Sequence, residues 1–266
     1  KAGVGITLEN VHFAISSDAT AWHLKNLGFD SPFGNAAINV DLGTARPFAI
    51  DGTVQFDNEL MKARANMMLN GDLDRLGVSG SLDGYGATGK LDARVTPFAS
   101  FPFESVWLEA KGIDPSKMES GWPVANVDAQ IDINAEKDKS LKGSVSIHNG
   151  KPGPFDRNAL PVYFVNAKIS GSIERIHLND LLLNFGKAGQ FRGNGLVSSE
   201  KTDITLETSR FDLHKITSRI RQTHIAGKIG FHQTGTDQEF TVALGEDHIR
   251  LNAHLLKKGD ALVLED

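Results

Sequence analysis

Apolar and polar residues alternate along most of this chain with a period of two. Val4, Ile6 and Leu8 alternate with Gly5, Thr7 and Glu9, and Ile38, Val40 and Leu42 with Asn39 and Asp41. Val54 and Phe56, then Met67 and Leu69, keep the same spacing. So do Leu91, Ala93 and Val95, and Val127, Ala129, Ile131 and Ile133. Val145 and Ile147 follow Leu141 in the same way, and Val165, Ala167, Ile169 and Ile173 come next. Ile204 with Leu206, Ile229 with Phe231, Phe240 with Val242, and Ile249 with Leu251 complete the set. A strand sends successive side chains to opposite faces, whereas a helix would need apolar spacing near 3.6. The pattern predicts an all-β fold.

The punctuation agrees. Asn70-Gly71-Asp72, Asp83-Gly84, Asn149-Gly150 and Thr234-Gly235 are turn chemistry, because Asn and Gly take positive φ at little cost. Short strands joined by such turns pair most easily as antiparallel neighbours. The alternation slips by one residue between Ile173 and Ile176, which predicts a bulge or a tight turn at Glu174-Arg175. Helix is scarce. Residues 18–28 have a capping Asp18 in front and Gly28 behind, which predicts a short helix. Residues 57–68 have helical propensity, yet Ala63, Ala65, Met67 and Leu69 alternate into the turn at Gly71, so they are read as strand. Asp114 to Met118 predict one helical turn with Pro115 at its first position.

Roughly fourteen or more half-apolar strands must hide one greasy face. Two packed sheets, a closed barrel or a curved sheet folded over its own inner face would each do so. The first two are ordinary side-chain-filled cores. The third leaves a groove whose apolar lining needs a filler.

Composition narrows the field. An apolar fraction of 40% with 23% charged residues argues for a folded chain, and 27 glycines suit many tight turns. The net charge of −5 and the lack of any Lys/Arg run argue against nucleic acid as a partner. With no cysteine there is no disulfide framework and no thiolate metal site. No apolar run approaches the ~20 residues that span a bilayer. Both ends of the sequence, at Lys1-Ala2-Gly3 and at Ala261-Leu262-Val263-Leu264, read as cut from a longer chain.

Candidate chemistry is thin. Gly84-Tyr85-Gly86-Ala87-Thr88-Gly89 has the spacing of a dinucleotide-binding loop, but that chemistry needs a helix after the loop. Lys90 to Val95 form another alternating strand, so the motif is read as a hairpin turn. The 9 histidines are scattered without ligand spacing, and those such as His148 sit opposite apolar neighbours as solvent-facing positions. Gly77-Val78-Ser79-Gly80 fails the spacing of a nucleophile elbow. The carboxylates, Asp128 and Asp132 among them, read as a solvated sheet face. Trp22, Trp107 and Trp122 could stack a sugar, although Trp107, set between Val106 and Leu108, is better suited to an edge or rim. No catalytic residue, metal site or cofactor is assigned. The apolar stripe remains, with a dry sandwich core as its common fate and a lipid-holding trough as the sharper reading.

Several segments resemble the TamB family of AsmA-like bacterial envelope proteins. They are Pro47 to Val54, Val106 to Ser116, and Asn149 to Phe155 running on to Leu160-Pro161-Val162. The tandem style of Ile173-Glu174-Arg175-Ile176 and Leu178-Asn179-Asp180-Leu181 is similar too. The resemblance implies a long parallel or mixed sheet, where the turns favour antiparallel neighbours, curled lengthwise into a U-shaped, taco-like trough with an apolar concave interior. It implies an inner-membrane anchor, a periplasmic location, an Omp85-type barrel as outer-membrane partner, and phospholipid transport with support of outer-membrane assembly. It assigns no catalytic residue. It maps the trough lining onto the alternating positions named above, and residues 1–266 are then one elongated segment of a bridge. Two alternatives stand beside it: a β-solenoid scaffold with a dry core, and a chaperone that binds unfolded strands of outer-membrane proteins along its edges.

Overall fold

The structure, a computed structural model, describes residues 7–59, 62–99, 101–258 and 261–265. It is all-β. The strands are β1 (Glu9–Ser17), β2 (Ala21–Ser31), β3 (Gly34–Gly43), β4 (Ala49–Asn58), β5 (Ala63–Asp72), β6 (Leu76–Gly84), β7 (Ala87–Val95), β8 (Phe103–Ile113) and β9 (Val127–Ala135). They continue as β10 (Leu141–Asn149), β11 (Phe164–Gly171), β12 (Arg175–Asn184), β13 (Gln190–Ser198), β14 (Lys201–Phe211), β15 (Ile225–Thr234), β16 (Asp237–Glu246), β17 (Ile249–Lys258) and β18 (Ala261–Glu265). The only helical pieces among the described residues are single 3-10 turns at Pro115–Lys117, Phe155–Arg157, Gly186–Ala188 and Leu213–Lys215. The first is the turn predicted at Asp114, whose carboxylate accepts from the Ser116 amide.

The chain divides into two compact units, Lys1–Met118 and Glu119–Asp266. The strand pattern of the sequence runs on through both units and does not mark the boundary, which lies between β8 and β9. In the first unit β1 to β8 form an antiparallel meander, each strand pairing with its neighbour in the chain. In the second, β9 to β18 do the same, so the named strands pair antiparallel, as the turns predict, and not as the parallel or mixed sheet that the resemblance implies. Each meander is a curled sheet that, among the described residues, does not close on itself.

Residues 63–69 are strand, as the alternation predicts, while Asp57 and Asn58 close β4. The glycine-rich stretch is the β6–β7 hairpin. Gly84 pairs with Ala87 across the two residues Tyr85 (φ 52°) and Gly86 (φ 81°), the positive-φ pair of a type I′ turn. Glu174-Arg175 is a tight turn too, with the Ser172 amide donating to the Arg175 carbonyl at 2.9 Å.

The helix expected over residues 18–28 is absent: Ala21–Ser31 is strand β2. The reason is a bulge between Leu24 and Leu27, where Asn26 takes φ 52°. One extra residue turns the spacing of two, from Trp22 to Leu24, into three, from Leu24 to Leu27, and this mimics a helical face. The Asn26 amide is satisfied by Asn39 Oδ1 at 2.9 Å on β3. β12 repeats the device between Leu178 and Leu181, with Asp180 at φ 52° and its amide 3.3 Å from Asn194 Oδ1 on β13.

Among the described residues no large side chain is fully enclosed. The main core lies in the second unit, where Ala167, Leu181, Ala188, Phe191, Leu206 and Phe211 cluster. Phe185 meets Phe211 edge-to-face at 5.2 Å, and Phe191 lies 4.9 Å from Phe211.

Candidate functional site

Residues opposite one another in an antiparallel pair share a face, so the registers show which apolar positions adjoin. In the first unit Leu27 faces Ile38, Ile38 faces Val54, and Val54 faces Met67. Met67 faces Gly80, Gly80 faces Leu91, and Leu91 faces Leu108. The adjacent row runs Leu24, Val40, Gly52, Leu69, Val78, Ala93 and Val106. Phe56 and Leu42 flank these rows on β4 and β3, opposite Ala65 and Ile50. Val95, at the end of β7, faces Leu76.

The second unit repeats the arrangement. Ile131, Val145 and Ala167 are successive partners, as are Ile133, Gly143 and Ile169. Val127 faces Asn149 and Ile147 faces Val165. Leu206 faces Ile229 and then Val242, while Ile204 faces Phe231 and then Phe240. Leu251 faces Leu244, and Ile249 faces Glu246 at the start of β17. Glycines alternate with large residues in these rows. A Cβ on Gly193 would stand 1.8 Å from the Thr205 carbonyl oxygen, so only Gly lets β13 and β14 approach this closely opposite Leu206.

This face is only partly covered. Of the expected lining, Ile169 and Leu206 are buried, whereas Phe240, Ile249 and Leu251 remain 41%, 61% and 56% exposed. The other lining positions within strands are half-buried. Three expectations need correction or fall outside. Val4 and Ile6 lie outside the described residues. Leu8 precedes β1 and is 48% exposed. Ile173 sits at the tip of the β11–β12 turn, 52% exposed, because the alternation that includes it ends at Gly171. Three large members of the core cluster, Leu181, Phe191 and Phe211, are missing from the alternating set: a bulge precedes the first, and Gly193 and Gly195 occupy the apolar positions after the second.

The opposite face is polar and laced with ion pairs. His23 bridges Asp41 at 2.8 Å and Asp18 at 3.2 Å, and Lys25 joins Asp41 at 2.6 Å. The hydrogen bond to Asp41, then that to Asp18, raises the His23 pKa above the ordinary histidine range. Lys25 and then His23 hold Asp41 below the carboxylate range. In the second unit Lys201 and then His232 do the same for Asp203. These pairs are solvent-screened and lie at the surface, so they add little to stability. The open depressions of this unit lie on the same polar face, among Arg192, Glu207 and Lys228. No group of three His or carboxylate side chains gathers as a metal site among the described residues. The tryptophans are not brought together: Trp22 shares the apolar face with Leu42, Trp107 lies opposite Asp92 on the polar face, and Trp122 is in a loop of the second unit.

What the registers assemble is an elongated, partly covered apolar surface along one face of each sheet. Comparison with family models, with curated proteins and with solved structures finds no match to this chain.

Proposed function

We propose that this chain is a periplasmic length of a bridge between the inner and outer membranes, and that its apolar face lines a U-shaped trough shielding the acyl chains of phospholipid in transit. No catalytic step is involved. The full-length protein is anchored in the inner membrane, engages an Omp85-type barrel, and supports outer-membrane assembly. One observation carries the reading: in-register aliphatic rows cross strand after strand, yet their side chains stay half-exposed. A dry sandwich core would enclose such residues. An acyl chain exposed to water costs on the order of 10 kcal/mol, at about 0.8 kcal/mol per CH₂, and an uncovered apolar face offsets most of that. The setting rests on the resemblance to TamB-like segments.

The test is mass spectrometry of organic extracts from the purified protein beside a dry-core control handled identically. Stoichiometric phospholipid supports the trough. A lipid-free protein that stays folded, prepared without detergent, overturns it in favour of the scaffold reading.

A second reading has its own observation. Every residue of β1 is exposed, and its Val11, Phe13 and Ile15 are 51%, 59% and 60% exposed on an edge strand that pairs only with β2 among the described residues. Such an edge suits addition of an unfolded client strand. Photocrosslinkers at β1 that capture client chains, with none captured from β4 or β10, would favour it.

A further inference from the structure

In a sequential antiparallel meander alternate connections emerge at the same end. In the second unit one end carries, among the described residues, only turns of two to five residues, 136–140, 172–174, 199–200 and 235–236. The other carries the long connections 119–126, 150–163 and 212–224, besides the five-residue 185–189 and the two-residue turn Asp247-His248.

These long loops are tied into one rim. The Val124 amide donates to the Asn158 carbonyl at 2.8 Å, and the Phe155 amide to the Ile216 carbonyl at 2.8 Å. The Tyr163 amide reaches the Asn184 carbonyl at 2.8 Å. Asn149, 2% exposed, accepts from the Asn126 and Lys151 amides and donates to the Leu160 and Val162 carbonyls. The rim is therefore a built surface.

Its chemistry differs from the rest of the chain. Loops 119–126, 150–163, 185–189 and 212–224 together hold Lys151, Arg157, Lys187, Lys215, Arg219 and Arg221, all exposed, in a protein of net charge −5. Their acids are Glu119, Asp156 and Asp212, and two of these turn inward. Asp156 accepts from the Ser218 amide and hydroxyl, and Asp212, 9% exposed, accepts from the Thr223 and His214 amides. Asp247 adds one exposed acid at this end. Among the cations stand apolar side chains with no cover: Trp122 (52% exposed), Phe155 (55%), Tyr163 (41%) and Ile220 (39%). Ile220 lies between Arg219 and Arg221 in the chain. Among the described residues the short-turn end differs: Glu136, Asp138, Glu174 and Glu200 in its turns outnumber Lys137 and Lys139, and Ile173 is the one large exposed apolar side chain there.

We propose that this rim docks on an anionic phospholipid surface, the basic side chains meeting the headgroups while Trp122, Phe155, Tyr163 and Ile220 enter the interface. Aromatic rings with a wet edge favour the headgroup level, and Lys and Arg are drawn to the negative surface potential there. The inference is independent of what the apolar strand face holds. It concerns where the second unit meets a membrane.

The test is flotation of the whole chain with vesicles of phosphatidylcholine alone and of phosphatidylcholine mixed with phosphatidylglycerol. The chain should float with the anionic vesicles, remain free of the neutral ones, and be released by high salt. Arg157→Gln/Arg219→Gln/Arg221→Gln should weaken partitioning on the order of a hundredfold. Phe155→Ser/Ile220→Ser should weaken it about tenfold or more. Lys90→Gln/Arg94→Gln/Lys142→Gln, which removes as much charge from the sheet face, should leave it unchanged. Circular dichroism checks that each variant folds. Absence of flotation, equal flotation with neutral vesicles, or equal loss in the sheet-face variant would overturn the proposal. None of these results depends on whether phospholipid co-purifies with the protein.

Discussion

Val145→Glu separates a wet apolar face from a sealed core. Val145 is mid-strand in β10, opposite Ile131 on β9 and Ala167 on β11, and it is half-buried. Full burial of a valine contributes about 1.5–3 kcal/mol, so half-burial is worth about 1 kcal/mol. Losing a β-branched residue from a strand adds up to about 1 kcal/mol. If the face is open to water or to loosely held lipid, the new carboxylate reaches solvent and the total loss is about 1–2 kcal/mol. If the face is sealed, an unpaired carboxylate is trapped and several kcal/mol more are lost. Hydrogen exchange of β9–β11 amides reads the local loss, and lipid extraction reads occupancy. The expected result is a modest loss of protection with a severalfold fall in bound phospholipid, while Val145→Thr changes each less. A loss well beyond about 4 kcal/mol would mean a closed core. Unchanged phospholipid would remove Val145 from the lining. Either result refutes the reasoning.

Three further expectations follow from other parts of the molecule. Phe211→Ala should lower the local stability of β12–β15 by about 3–5 kcal/mol, seen as lost amide protection, because it empties the centre of the Phe185–Phe191–Phe211 cluster. Asn149→Ala should cost about 2–4 kcal/mol and open amides 158–163 to exchange, since two amides and two carbonyls lose their partner. His23 has a raised pKa, so it holds its proton more tightly folded than unfolded. Its contribution is complete below about pH 6.5 and is lost as pH rises through the folded value; His23→Gln should flatten that slope in pH-dependent denaturation.

The strands were legible because period two survives wherever one face is apolar and the ladder is regular. Turn chemistry at Asn70-Gly71 and Asp83-Gly84 marked antiparallel hairpins, and the β5–β6 and β6–β7 ladders turn just beyond them, at residues 73–75 and 85–86. Legibility failed where one residue is inserted. Asn26 makes β2 resemble a helix, and Asp180 hides Leu181, the centre of the best-packed cluster, from the alternation. The signal that could have found both is a lone Asn or Asp at the point where spacing changes from two to three. Each amide finds an Asn side chain on the following strand, Asn39 or Asn194. The basic rim was illegible for a different reason. Its cations come from three loops separated in the chain, 150–163, 185–189 and 212–224, and no unbroken run of Lys and Arg announces them.

The topology bears on how an uncovered apolar face can persist. Each strand pairs with its neighbour in the chain, so stability accumulates hairpin by hairpin through local ladders, as in repeat architectures. A fold of this kind does not need a single sealed core to hold distant segments together. The exception is the cluster around Phe211, which lies where the long rim loops begin and where chain far apart in sequence must be joined. Burial is therefore concentrated under the rim and relaxed along the strands. That division is what a protein needs if one end must keep its loops in place at a membrane surface while the sheet face stays free to take and release an apolar guest. The rows are notched at Gly80, Gly143 and Gly193, where a Cβ would stand 2.1, 2.0 and 1.8 Å from the carbonyl oxygens of Asn66, Asp132 and Thr205, so no side chain fills them without parting the strands. Their partners Met67, Ile133 and Leu206 are long and unevenly covered.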